Sequence, residues 1–187
     1  TTPRSYYAYP PGFTDMGVGW ANMYRKHLFI EDMNGDGKKE VLSDINGVFN
    51  RIALWSSDGA PLFNVNFGPG DVADNIRDLD VGDLDGDGKK EIITATFRGI
   101  LLVMDHTLEK VWSKRLASPA TALKYMPSSG GPVIVVACED GSVLTCNARG
   151  EITAAGTVIG RPIGIDAIAQ GVVVATENGN VKGFAIH

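Results

Sequence analysis

Long apolar runs are missing from this chain. Although 44% of its 187 residues are hydrophobic, no stretch of eighteen apolar residues occurs, which argues against a transmembrane helix, and no membrane insertion is expected. An excess of basic charge is missing as well: 17 Lys and Arg stand against 22 Asp and Glu, a formal net charge of −5. Nucleic acid and anionic membrane both demand a basic face, so neither is expected as a partner. The three histidines are scattered without zinc-ligand spacing. No Ser or Cys sits in a nucleophile motif, and the nearest approach to a phosphate loop, Phe67-Gly68-Pro69-Gly70, has a proline where a backbone donor is needed. No convincing amphipathic helix interrupts the chain. The first residues, Thr1 to Ser5, do not read as a signal peptide, and the lack of an initiating Met suggests a mature or excised segment.

Cysteine is scarce, with Cys138 and Cys146 alone. If Asp140-Gly141 makes a two-residue hairpin turn, Cys138 faces Val143 and Cys146 faces Val135. Cys138 and Val135 are an odd number apart, so the two thiols are expected on opposite faces of a sheet, unbridged and buried.

What the chain does have is an acidic nonapeptide in two copies, 51 residues apart: Asp32-Met-Asn34-Gly-Asp36-Gly37-Lys38-Lys-Glu40 and Asp83-Leu-Asp85-Gly-Asp87-Gly88-Lys89-Lys-Glu91. Calcium takes six to eight oxygens, and D-x-[DN]-x-D-G loops supply them from alternate side chains and a backbone carbonyl. The expected ligands are Asp32, Asn34, Asp36, the Lys38 carbonyl and Glu40, then Asp83, Asp85, Asp87, the Lys89 carbonyl and Glu91. The glycine after the third ligand allows the sharp turn. Two Ca²⁺ would bring the formal charge from −5 to −1, and Asp85 in place of Asn34 predicts tighter binding at the second site. An EF-hand needs a bidentate Glu at loop position twelve, but Ser43 and Thr94 stand there. The flanks, His27–Ile30, Val41-Leu42 and Ile92–Phe97, read as strands. The loops therefore join strand to strand.

A longer repeat underlies the motif. Ala95–Asp105, Ala137–Asn147 and Ala175–Ala185 align without gaps at offsets of 42 and 38 residues. Each follows an apolar run and turns at Arg98-Gly99, Asp140-Gly141 or Asn178-Gly179. Further strands are expected at Arg51–Trp55, near Asp58–Phe67, at Glu109–Leu116 and at Glu151–Ala155. Four units result, near 16–70, 71–118, 119–160 and 161–187, in one domain or propeller segment. Units of 40–50 residues with about four short antiparallel strands are the pattern of β-propeller blades, and the internal similarity favours this over a β-sandwich. The fold class expected is thus all-β, a propeller with about four blades. The fourth unit stops after three strands. Ser5-Tyr-Tyr-Ala-Tyr9 could supply the missing one, and the sequence leaves open a four-bladed ring, a homo-oligomeric ring and a piece of a larger propeller with further blades.

The two loops resemble those of the FG-GAP/VCBS repeat propellers, in which calcium sits between neighbouring strands of a blade. The pattern Glu91-Ile-Ile-x-Ala95-x-x-x-Gly99-x-Leu-x-x-x-Asp105, with Trp112 after it, is similar to pyrroloquinoline-quinone-type propeller repeats. The resemblance runs from about residue 25 onward and implies two structural Ca²⁺ at the ten residues named above. It implies none in the third and fourth units, where Met126–Gly131 and Gly164–Ile168 replace the acidic loop. Quinone binding is not implied. The expected function is a secreted or periplasmic recognition module for an extracellular glycan or protein, since such open sites suit millimolar calcium. Two alternatives are a structural adhesion module and part of a calcium-dependent polysaccharide lyase resembling the rhamnogalacturonan lyases. For a lyase, Tyr24, Arg25, Lys26, His27, Arg98 and His106 are the residues to inspect; none is assigned a catalytic role. Tyr6, Tyr7, Tyr9, Phe13 and Trp20 could stack on sugars, though strand packing is the more ordinary use of such a segment.

Overall fold

Apolar residues in this chain come both as alternating sets and as unbroken runs, and the two patterns mark sheets covered on one face or on both. In a computed structural model, which describes residues 27–45, 50–67 and 75–186, every regular element is a strand. Among these residues no helix is long and apolar enough to cross a membrane. The strands form four antiparallel meanders. The first is β1 (Leu28–Glu31), β2 (Glu40–Ile45), β3 (Asn50–Trp55) and β4 (Pro61–Phe67); the second is β5 (Ile76–Gly82), β6 (Glu91–Thr96), β7 (Ile100–Met104) and β8 (Lys110–Arg115). The third is β9 (Ala120–Met126), β10 (Val133–Cys138), β11 (Ser142–Asn147) and β12 (Ile152–Thr157), and the fourth has three strands, β13 (Pro162–Ile168), β14 (Gly171–Thr176) and β15 (Val181–Ala185).

The sheets stack face to face, with an apolar cluster at each junction. Side chains alternate across a strand, so β6 sends Ile92 toward the first sheet, where it meets Leu42, Ile52 and Leu54, and Ile93 and Ala95 toward the third. Strand β10 repeats this, with Ile134, Val136 and Cys138 facing the second sheet and Val135 and Ala137 facing Val172 and Val174 of the fourth. This is why Val133–Val136 reads as a continuous apolar run. In the last three sheets the first strands lie side by side: β5 packs along β9, and β9 along β13.

Side chains also join these first strands. The carboxylate of Asp78 accepts the backbone N–H of Leu123 at 2.8 Å, and that of Asp80 accepts Tyr125 N–H at 2.9 Å. Lys124 Nζ lies 3.5 Å from Asp80 and 3.7 Å from Asp166, extending the chain of charge into the fourth sheet. Farther out, Glu139 pairs with both Arg77 and Arg161 at 3.2 Å. Tyr125 covers Gly82, where a Cβ would stand 2.3 Å from its ring, and its hydroxyl donates to Asp83 O at 3.0 Å. Gly82→Ala is therefore expected to push the ring out of the junction, costing about 2 kcal/mol and lowering the melting temperature by about 4–8 °C. Thermal melts that leave Gly82→Ala unchanged would contradict this packing.

Two expectations from the sequence need correction here. The repeated hairpins are not two-residue turns. Ala137 pairs with Val143, and Gly141 N–H bonds Cys138 O, so Glu139-Asp140-Gly141 form a three-residue loop with Gly141 at φ +85°. The one-residue change of register sets Cys146 opposite Ile134, an even number from Cys138, and puts both thiols on the same face and in the same apolar cluster. They are free and buried. What separates them is four residues of strand, about 13 Å. Burial raises the pKa of both thiols. Second, Gly164–Ile168 is not a loop but part of β13; Ile168 pairs with Gly171, and the connection is Ala169-Gln170. In the third sheet the corresponding connection does follow Met126.

Candidate functional site

Both acidic segments connect the first and second strands of a sheet, β1 to β2 and β5 to β6. Each starts after equivalent register pairs, Glu31 with Glu40 and Gly82 with Glu91. Strand-to-strand placement excludes EF-hand geometry for these loops. Their internal hydrogen bonds correspond, with one additional bond in the first loop. Asp32 accepts Gly35 and Asp36 N–H on Oδ1 and Gly37 N–H on Oδ2; Asp83 accepts Gly86 N–H on Oδ1 and Gly88 N–H on Oδ2. Asn34 and Asp85 each accept the amide two residues on, and so do Asp36 and Asp87. Glu40 Oε2 accepts Met33 N–H at 2.9 Å, and Glu91 Oε2 accepts Leu84 N–H at 2.7 Å. The glycines Gly35, Gly37, Gly86 and Gly88 all sit at φ between +77° and +84°, a region closed to most side chains.

The loops also touch each other. Lys90 N–H donates to Met33 O at 3.0 Å, and Lys90 Nζ pairs with Glu31 at 3.0 Å. A Cβ on Gly35 would stand 3.1 Å from Gly88 O. One continuous acidic ridge results at this end of the first two sheets.

In the second loop, carboxylate oxygens of Asp83, Asp85 and Glu91 come within 4.8 Å of one another, a spacing that fits one cation, and this is the one such acidic group among the described residues. Asp87 stands apart from that trio, with Oδ1 on Lys89 N–H and Oδ2 4.0 Å from Lys89 Nζ. In the first loop the residues equivalent to that trio are Asp32, Asn34 and Glu40, so the middle oxygen there belongs to an amide. The donor set is nonetheless hard oxygen throughout, as calcium requires. Burial raises the Glu91 pKa, the charges of Asp85, Asp87 and Asp83 add to this, and the Leu84 N–H opposes it. For Asp32 the Gly37 N–H leads in lowering the pKa, with Gly35, Asp36 and Asn34 adding to it against burial. In each loop, then, the backbone amides and neighbouring carboxylates set the protonation of the acids.

The residues inspected for catalysis are dispersed. His27 is held on both ring nitrogens, Nδ1 by Asp44 at 3.0 Å and Nε2 by Asp78 at 2.7 Å, while its N–H donates to Asp44 at 2.8 Å. A ring bonded to two carboxylates has no nitrogen left for a substrate, so His27 is a clamp between the first two sheets. His106 lies in the β7–β8 turn. Arg98 lies in the β6–β7 turn, at the opposite end of the sheet from the acidic loop. Tyr24, Arg25, Lys26, Ser5–Tyr9, Phe13, Trp20 and Gly68–Gly70 lie outside the described residues. Sequence reading passed over Asp44, Asp78 and Asp80. Carboxylates within apolar strands, as in Arg77-Asp78-Leu79-Asp80, were the available signal, because a buried acid demands donors.

Four meandering sheets stacked face to face define a β-propeller, and the two acidic loops occupy equivalent connections in its first two blades. The FG-GAP-like repeat family matches residues 32–94, which span both loops. No curated protein sequence matches the chain. Among solved structures it is similar to BamB from Moraxella catarrhalis, with 14% identity, a TM-score of 0.61, and coverage of 85% of this chain and 42% of that one. The WD40 β-propeller domain of Doa1 gives 20% identity, a TM-score of 0.63, and coverage of 85% and 50%. The computationally designed Ika4 protein gives 16%, 0.66, and coverage of 88% and 92%. The chain thus spans about half the length of the two natural propellers, and at these identities the likeness is one of fold.

Proposed function

We propose that this propeller binds one calcium ion in each acidic loop, through Asp32, Asn34, Asp36, Lys38 and Glu40 and through Asp83, Asp85, Asp87, Lys89 and Glu91. In this reading the calcium is structural, and the blades serve outside the cytosol as a recognition module for a glycan or a protein. The observation that carries it is the shared hydrogen-bond pattern of the two loops. Each folds its backbone around a first Asp, anchors a last Glu at the start of a strand, and leaves carboxylate oxygens free among the described residues. The match to FG-GAP-like repeats over residues 32–94 supports it. Calcium chemistry requires no catalytic group here, and the dispersed His27, Arg98 and His106 favour recognition over lyase activity.

Calorimetric titration with CaCl₂ tests the reading. Two bound ions per chain are expected, the tighter at the second loop, where Asp85 adds a charge. Asp85→Ala combined with Asp87→Ala removes one of them. A chain that takes up no calcium at millimolar concentration overturns the proposal.

A further inference from the structure

We infer that the cleft between the β5–β6 loop, the β7–β8 turn and the β11–β12 turn binds one neutral, hydroxyl-rich ring, a single sugar residue of a glycan. This deepens the recognition reading and rests on it, but needs no cation in the loop. The cleft encloses about 310 Å³, at the small end of ligand sites, which leaves room for one ring. Its lining is apolar at Val103, Val111, Trp112 and Ala148 and polar at Asp85, Asp87, Glu91, Asp105 and His106.

The indole is fixed before any ligand arrives. Its Nε1–H donates to Ala148 O at 2.8 Å, and Gly150 lies against its six-membered ring, where a Cβ would stand 3.0 Å away. A flat apolar surface that loses little freedom on binding suits the C–H face of a sugar. The same cleft holds an acceptor with capacity to spare, one that the calcium reading does not use. Asp105 Oδ1 takes Thr107 N–H, Thr107 Oγ1–H and Glu109 N–H, whereas Oδ2 takes no donor among the described residues. Carboxylates accept and do not donate, so they complement hydroxyls. Among the described residues no Lys or Arg lines the cleft, so phosphates and uronates are repelled and the ligand is neutral.

Titration with a panel of neutral methyl glycosides, uronates and amino sugars, followed by calorimetry, tests the assignment. At least one neutral glycoside is expected to bind, and Val111→Arg, at a rim side chain 56% exposed, should weaken it about tenfold without lowering the melting temperature. Trp112→Phe should act in the same direction. Full binding by Val111→Arg would place the glycan elsewhere, overturning the cleft while sparing the recognition reading. Binding of amino sugars alone would overturn the neutral class. Failure of every glycoside would overturn the cleft and glycan recognition together, leaving the calcium reading to its own titration.

Discussion

Saturating calcium is expected to raise the melting temperature of the metal-free chain by about 10–20 °C. An ion that binds only the folded state stabilises it by about 2.7 kcal/mol at a hundredfold excess over its dissociation constant. Two sites give about 5 kcal/mol, and a chain of this size gains about 2–4 °C per kcal/mol. The effect should spread beyond the loops, because Lys90 ties the second loop to Met33 and Glu31 of the first. Glu91→Gln separates metal binding from loop structure. Glutamine keeps an acceptor for Leu84 N–H and removes a charge that Asp85, Asp87 and Asp83 repel. Without calcium the variant should melt at or above the wild type; with calcium it should lose about half of the shift. Scanning calorimetry with and without chelator reads both, and an equal calcium shift in Glu91→Gln would exclude that carboxylate from the site.

His27→Ala should destabilise the chain by about 4 kcal/mol in mildly acidic solution, since two charge-assisted hydrogen bonds are lost at a junction whose acids are largely buried. That is a fall in melting temperature of about 10 °C. The pH dependence distinguishes this from simple loss of packing. Burial of the ring opposes its charge, but the hydrogen bonds and charges of Asp44 and Asp78 outweigh it, and the net pKa lies above the ordinary 6.5. A group that holds its proton more tightly when folded contributes fully below its unfolded value and loses that contribution as pH rises through the folded one. The gap between wild type and His27→Ala should therefore be widest below pH about 6.5 and narrow above it. Urea denaturation across pH 5.5 to 9 would show this, and a gap independent of pH would mean that His27 acts as a neutral spacer.

Much of the fold was open to reading because each relevant feature is local. Apolar runs, Asp-Gly and Asn-Gly turns and the offsets of 42 and 38 residues follow from strand geometry, and the four sheets fall at 28–67, 76–115, 120–157 and 162–185. The acidic loops were legible for the same reason, since Asp32 and Asp83 bond amides three to five residues away. Register was not legible. A three-residue loop and a two-residue turn share the Asp140-Gly141 signal, and a change of one residue reverses the face assigned to a cysteine. The boundary of β13 failed for a similar reason: Gly164 and Asp166 suggest a loop, yet pairing with Ala175 and Val173 holds them in a strand.

By itself the sequence determined an all-β chain of four repeated units carrying two acidic loops between strands, because turn chemistry and side-chain alternation act over a few residues. Only the tertiary structure decided what meets across the junctions. His27 with Asp78, Asp78 with Leu123, and Trp112 with Ala148 join residues 36 to 51 positions apart. Such contacts are chosen by how the sheets stack, which no local pattern encodes. They make the two loops one ridge and Trp112 the wall of a cleft.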